Sequence, residues 1–251
     1  ALSPFATDRP NITWTMAQLG AIPRIIMVLR GGTPKEKAKA LGALSTFSKY
    51  NVSNVIVLSQ GVPPLVALLR DGSEDQVLKS CMCLSNLAMS SKANAGVIGA
   101  AGAVEPLALL AAKGTPSIKY WATAAIAWLT RDVVENRDLL SETTLAPSLV
   151  GVLESGSQNE ISNAVLAITS MTTDHHKNAK SIVAAGAIPP LLALAGNGTA
   201  EDLQSKAALA LARLAVADVR YLESILNEGG ISSDLAFQVR CLLRMVLSLA
   251  L

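Results

Sequence analysis

The side chains able to do chemistry are few and thinly spread. His175 and His176 are the only histidines, adjacent in the stretch TTDHHKN beside Asp174. Such a trio could offer ligands to a metal, but protein metal sites gather more converging groups. No second cluster accompanies this one, so a solvated loop is the expected role. Of the three cysteines, Cys81 and Cys83 stand two apart and on a helix would point in different directions. They read as free buried thiols of a reducing compartment rather than a disulfide framework. No glycine-rich phosphate loop, nucleophile elbow or paired-cysteine motif occurs. Catalysis therefore has no residues to carry it, and no cofactor or metal is expected. The side chains left are those of recognition. Trp121 and Trp128 are seven apart, two turns along one helical face, and tryptophan is a frequent interface anchor.

Composition says what must position them. Hydrophobic residues make up 51% of the 251 and aromatics only 4%, so the interior is Ala, Leu, Val and Ile. Small side chains of this kind suit closely packed helices. The net charge is +2 with both signs spread along the chain, which argues against a general nucleic-acid binder. The longest uncharged run, 181–200, is about as long as a bilayer span, but Gly186, Pro189, Pro190, Gly196 and Gly198 interrupt it. A transmembrane helix is rejected on that ground.

The same run belongs to a series. GAIPRIIMVLRGG begins at Gly20, QGVPPLVALLRDG at Gln60, GAVEPLALLAAKG at Gly102, TLAPSLVGVLESG at Thr144 and GAIPPLLALAGNG at Gly186, spaced 40, 42, 42 and 42 residues. A period near 40 built of two or three helices is a solenoid signature. Each copy opens on Gly or a substitute, as at a helix C-terminus. Proline follows in the first turn of a medium helix. A second break with Gly, Ser, Thr or Pro then caps a longer apolar helix. Finally an Asn recurs before a further, short helix, at Asn11, Asn54, Asn94, Asn136 and Asn178. The units run 20–59, 60–101, 102–143, 144–185 and 186–230, with a partial repeat at 1–19 and a closing helix in 231–251.

GVPPLVALLRDGSEDQVLKSCMCLSNLA and GAIPPLLALAGNGTAEDLQSKAALALARLA resemble armadillo repeats of the importin-alpha, β-catenin and vacuolar-scaffold kind. The resemblance covers about 1–230. It implies a single all-α domain, a right-handed armadillo-repeat superhelix, whose third helices line a concave face. It also implies a non-enzymatic scaffold that holds an extended peptide there by an Asn on each third helix. An Asn amide offers a donor and an acceptor, so it can pair with peptide backbone without reading side chains. The family's WxxxN pattern, with a polar residue three before the Trp, forms one stripe, because positions 0, −4 and −7 lie within roughly 60° on a helix.

At the Asn position this chain has Thr46, Asn86, Trp128, Ser170 and Arg213; at the Trp position Gly42, Met82, Ala124, Leu166 and Leu209; at −7 Lys39, Lys79, Trp121, Asn163 and Lys206. Only one Asn is kept and no Trp stands in its usual place, which argues against nuclear import of lysine-rich cargo. Lysines along the −7 row would repel a basic peptide and favour an acidic or mixed-polarity one. They would steer encounter rather than supply affinity. The competing readings are a solvated face for the lysines and core for the tryptophans.

The expected partner is a protein or peptide segment, with no nucleic acid bound directly, in the cytoplasm or nucleus. The alternative function is a structural assembly module acting through solenoid self-association. ALSPFATDRPNI matches CLSNLAMSSKANA in phase, so the chain reads as a piece of a longer solenoid. Phe5, Trp14 and Met16 at one end and Leu242, Leu243, Val246 and Leu247 at the other would then be left for a homo-oligomeric contact through the terminal repeats.

Overall fold

The computed structural model describes residues 10–49, 60–141, 143–196, 200–218, 220, 221 and 225. Among them are fourteen helices and no strand. They are α1 (Pro10–Gln18), α2 (Ala21–Gly31), α3 (Pro34–Phe47), α4 (Val62–Asp71), α5 (Glu74–Ser90), α6 (Lys92–Ala100), α7 (Val104–Lys113), α8 (Pro116–Arg131), α9 (Val134–Leu140), α10 (Leu145–Ser155), α11 (Gln158–Thr172), α12 (His176–Ala184), α13 (Ile188–Ala195) and α14 (Glu201–Ala217). The order medium, long, short recurs complete in α4–α6, α7–α9 and α10–α12, as the spacing of the sequence copies predicts. Two compact units divide inside α9, at Asn136 and Arg137. Asn54, Phe5 and the closing helix expected in 231–251 lie outside the described residues.

The two kinds of glycine in each repeat are needed for different reasons. Before the medium helices, Gly20, Gly102 and Gly186 have φ of 77, 77 and 88°, the left-handed region that a Cβ disfavours. Gln60 occupies the same place at φ 58°. The Arg30 guanidinium holds it, donating to its carbonyl at 2.8 Å. The break after each medium helix has ordinary φ. There a Cβ on Gly32 or Gly156 would stand 2.7 Å from the carbonyl oxygen of Val28 or Val152. Next comes the cap of the long helix: the Thr33 N–H donates to Glu36 and the Ser157 N–H to Glu160, both at 2.8 Å. The run rejected as a membrane span is broken between α12 and α13, which meet at 88°. No single helix among the described residues is long and apolar enough to cross a membrane.

The long helices form the core because they are covered from several sides. Nine residues of α5 and nine of α8 are buried, and a helix apolar nearly all round belongs inside. Four of those on α8 are alanines, Ala122, Ala124, Ala125 and Ala127, small enough for close approach of α5 on one side and α7 on another.

Asn94, Asn136 and Asn178 lie inside the first turn of their short helices, not before them, and all three are buried. In the first unit, the Asn136 amide donates to the carbonyl of Leu129 at the end of α8 (2.8 Å) and to that of Ala95 in α6 (3.1 Å). In the second, Asn178 repeats this with Met171 and Arg137, both at 2.9 Å. Each amide thus closes the turn behind its own long helix and reaches the short helix of the repeat before it. A Cβ on Gly99 would collide with the Asn136 amide, so the glycine makes room for that contact.

The two left-handed turns of the first unit give a paired test. Gly102→Ala should lose about 1 kcal/mol of stability. Gln60→Gly should stay within about 0.5 kcal/mol of the parent, because relief of the left-handed strain offsets the entropy that glycine adds. Urea unfolding followed by circular dichroism measures both.

Candidate functional site

In the first unit, α3 packs on α5 and α5 on α8. The Cys83 thiol donates to the Leu44 carbonyl at 3.8 Å and the Asn86 amide to the Ser48 hydroxyl at 3.0 Å. Moving three residues along α5 matches four along α3, so these helices run parallel and in step. The 0/−4/−7 stripe is the face they leave least covered. Lys39 is exposed; Gly42, Thr46, Lys79, Met82, Trp121 and Trp128 are half-buried. Asn86 is a correction: it is 9% exposed, and its amide crosses to α3 instead of facing solvent. Thr46 turns its hydroxyl back to the Gly42 carbonyl at 3.1 Å. In the second unit, α11 packs on α14. There Asn163, Lys206 and Arg213 are half-buried, but Ser170 is buried at 5%. Asn163 Nδ2 and Arg213 Nε are inaccessible and have no hydrogen-bond partner.

The tryptophans are not core. Trp121 meets Tyr120 edge to face at 5.2 Å between centroids. The Arg131 guanidinium lies 5.3 Å from the Trp128 ring centroid, a cation–π contact that places the chain's own positive charge against that ring.

The lysines differ from what a bare row of charges would be. Lys79 pairs with Asp75 and Lys206 with Asp202, each at 2.6 Å and four residues apart; Lys206 also donates to Ser162 at 3.0 Å. On α3 the residue one turn before Lys39 is Lys35, not an acid. The nearby Glu36 points its carboxylate at Thr33, whose backbone N–H and hydroxyl hold its pKa down, with Lys39 adding a smaller pull. Neither Lys35 nor Lys39 has an ion pair among the described residues. The acids four residues before Lys79 and Lys206 are visible in the sequence to the helix side-chain rule, and reading single rows misses them.

No protein-family model matches the chain. Solved structures do match in three dimensions. A designed armadillo repeat protein in complex with the peptide (KR)4 superposes with a TM-score of 0.74 at 24% identity, over 85% of this chain and 90% of that one. An engineered protein reaches a TM-score of 0.84 at 20% identity, over 98% of this chain and 62% of its own. A chain solved in work on a phosphorylation switch between cadherin and beta-catenin gives 0.75 at 20%, over 88% and 44%. The fold is the armadillo-repeat fold. The three-helix unit and its 42-residue period are therefore explained together.

Within the armadillo fold, His175 is structural and not part of a solvated loop, whereas its neighbour His176 is exposed. His175 is buried at 9%, and its Nδ1 accepts the Asn178 N–H at 3.2 Å, capping α12. Its Nε2 lies 2.9 Å from Asp138. In the repeat two units earlier Ser91 caps α6 by accepting the Asn94 N–H, also at 3.2 Å, so His175 does with a ring nitrogen what Ser91 does with a hydroxyl. His176 contacts the Ala217 carbonyl at 2.6 Å. Among the described residues no group of three or more His, Cys, Asp or Glu could hold a metal.

Cys81 and Cys83 are fully inside the first unit, and burial pushes both thiols up to about 12. The thiolate, the reactive form, is thus suppressed through the neutral range. In the native protein at pH 8, a thiol reagent such as iodoacetamide should leave Cys81 and Cys83 unmodified. Both should react once the chain is unfolded in urea, as peptide mapping by mass spectrometry would reveal.

Proposed function

We propose that this chain is a non-enzymatic protein-interaction scaffold that takes an extended peptide across the stripe of its long helices. The observation that carries the reading is the pair of half-buried tryptophans on α8, Trp121 and Trp128, on the same face as Met82 of α5 and Lys39 of α3. A rigid helical platform with large, partly exposed aromatic anchors is the kind of surface on which a few residues supply most of the binding energy.

The ligand is an acidic or mixed-polarity segment. The designed armadillo neighbour was solved with (KR)4, but here the −7 row is Lys39, Lys79 and Trp121 in the first unit and Asn163 and Lys206 in the second. The Trp128 face already has Arg131 over it, so a peptide lysine would meet like charge there. In the second unit, Arg213 is a cation at the corresponding position of α14. Backbone pairing by a ladder of asparagines is not part of this proposal, since Asn86 is committed to Ser48. The Thr46 hydroxyl gives its proton to Gly42 and the Asn163 Nδ2 is inaccessible, so these two side chains can offer a ligand only acceptor oxygens. The compartment that fits is the cytoplasm or nucleus, where buried free thiols such as Cys81 and Cys83 persist in the reduced form.

Selection from a random peptide library on the immobilised chain tests the reading. Selected peptides should perturb tryptophan fluorescence, and the Trp121→Ala/Trp128→Ala double variant should weaken them about thirtyfold or more, the scale of a hot spot. Its melting temperature should fall only modestly, because both rings are partly exposed. Undiminished affinity in a folded double variant would place the ligand elsewhere and sink the proposal.

A further inference from the structure

The first unit carries a charge pattern finer than a row of lysines. On α5 the cation at −7 is matched by its own acid one turn earlier, Asp75 at 2.6 Å. On α3 the same two places hold Lys35 and Lys39, both exposed. Glu36 between them faces Thr33. On α8 the −7 place is Trp121, beside Tyr120. Across these three packed helices, the surface runs from two cations with no ion pair of their own among the described residues, over a neutralised rung, to an aromatic rung.

Resting on the peptide-scaffold reading, we propose that the segment bound here has a fixed internal spacing. It places one or two acidic residues over Lys35 and Lys39 of α3 and a bulky apolar residue against Trp121 of α8, with an uncharged stretch crossing α5. Charge complementarity selects the acidic end. Like charges at Lys35 and Lys39, one turn apart, repel each other, and an incoming carboxylate pair relieves that repulsion. Asp75 already satisfies Lys79, so an acid over α5 would meet a neutral pair. Packed helices lie about 8–10 Å apart, which puts α8 about 16–20 Å from α3. An extended chain advances about 3.3 Å per residue, so the acidic and apolar residues stand about five or six positions apart.

Labelled synthetic peptides test this, each an uncharged Ser/Thr chain with one phenylalanine and one pair of aspartates at varied separation. Binding to the full chain is read by fluorescence polarisation at low ionic strength. Affinity should peak at a separation of about five or six. The Lys35→Glu/Lys39→Glu variant should lose about three- to tenfold for that peptide and prefer its lysine-substituted counterpart. Asp75→Asn, which frees Lys79 on the middle helix, should move the optimum to about three. Binding that is indifferent to separation and to both variants would overturn the spacing while leaving the scaffold reading intact. Should neither these peptides nor any library peptide bind, the scaffold reading falls and the spacing with it. Circular dichroism melts confirm that both variants, altered only at exposed or half-buried positions, remain folded.

Discussion

One side-chain amide, Asn136 in the first unit and Asn178 in the second, holds a joint between repeats. The turn from a long helix to a short one leaves the last carbonyls of the long helix without intrahelical donors, and it does so in the interior, where an unmet carbonyl is costly. Asn136 and Asn178 meet that need and at the same time bond a carbonyl of the preceding short helix. A hydrophobic contact at this place would fill space but fix neither angle nor register. The amide fixes both, and the rest follows: with short helices locked in step, the long helices α5 and α8 stack closely enough to be buried nearly all round.

Burial on so many sides leaves each long helix only a narrow band in partial contact with solvent, and it is this band that the proposed ligand would cross. The band is constrained at its edges. Asn86 lies within it by helical angle, yet the neighbouring helix comes close enough to capture its amide with Ser48, and Ser170 is covered outright. Residues with long or wide side chains, such as Lys39, Trp121, Trp128 and Arg213, extend past this edge. Reach, as much as position in the repeat, decides which residues of the stripe are accessible.

The architecture was open to sequence reading because its signals are local and repeated. Gly20, Gly102 and Gly186 recur where the backbone needs a left-handed residue, and prolines recur one turn later. Five copies of one pattern correct each other's errors. Side-chain partnerships are not local in this way. The asparagines of the short helices were visible as a regular series, but their double bonding depends on carbonyls 7 and 41 residues away. His175 looked like half of a loop pair because nothing in TTDHHKN shows that Asp138 lies opposite its ring. The acids that neutralise Lys79 and Lys206 are four residues away and needed only the helix to be read as a surface rather than as rows.

The pairing of Asp75 with Lys79 also bears on how such a protein can diverge. The acid sits in the first turn of α5, a full turn below the lysine, exposed and outside the packed interior. Replacing it alters neither a buried contact nor a cap, since Ser73 and Gln76 close that helix end. On the proposed reading, fold and ligand preference are therefore controlled by different residues. Duplicated copies of the gene can exchange Asp and Lys one turn below the stripe, as positions 35 and 75 of this chain already differ, and so acquire new partners without crossing a valley of unfolded intermediates.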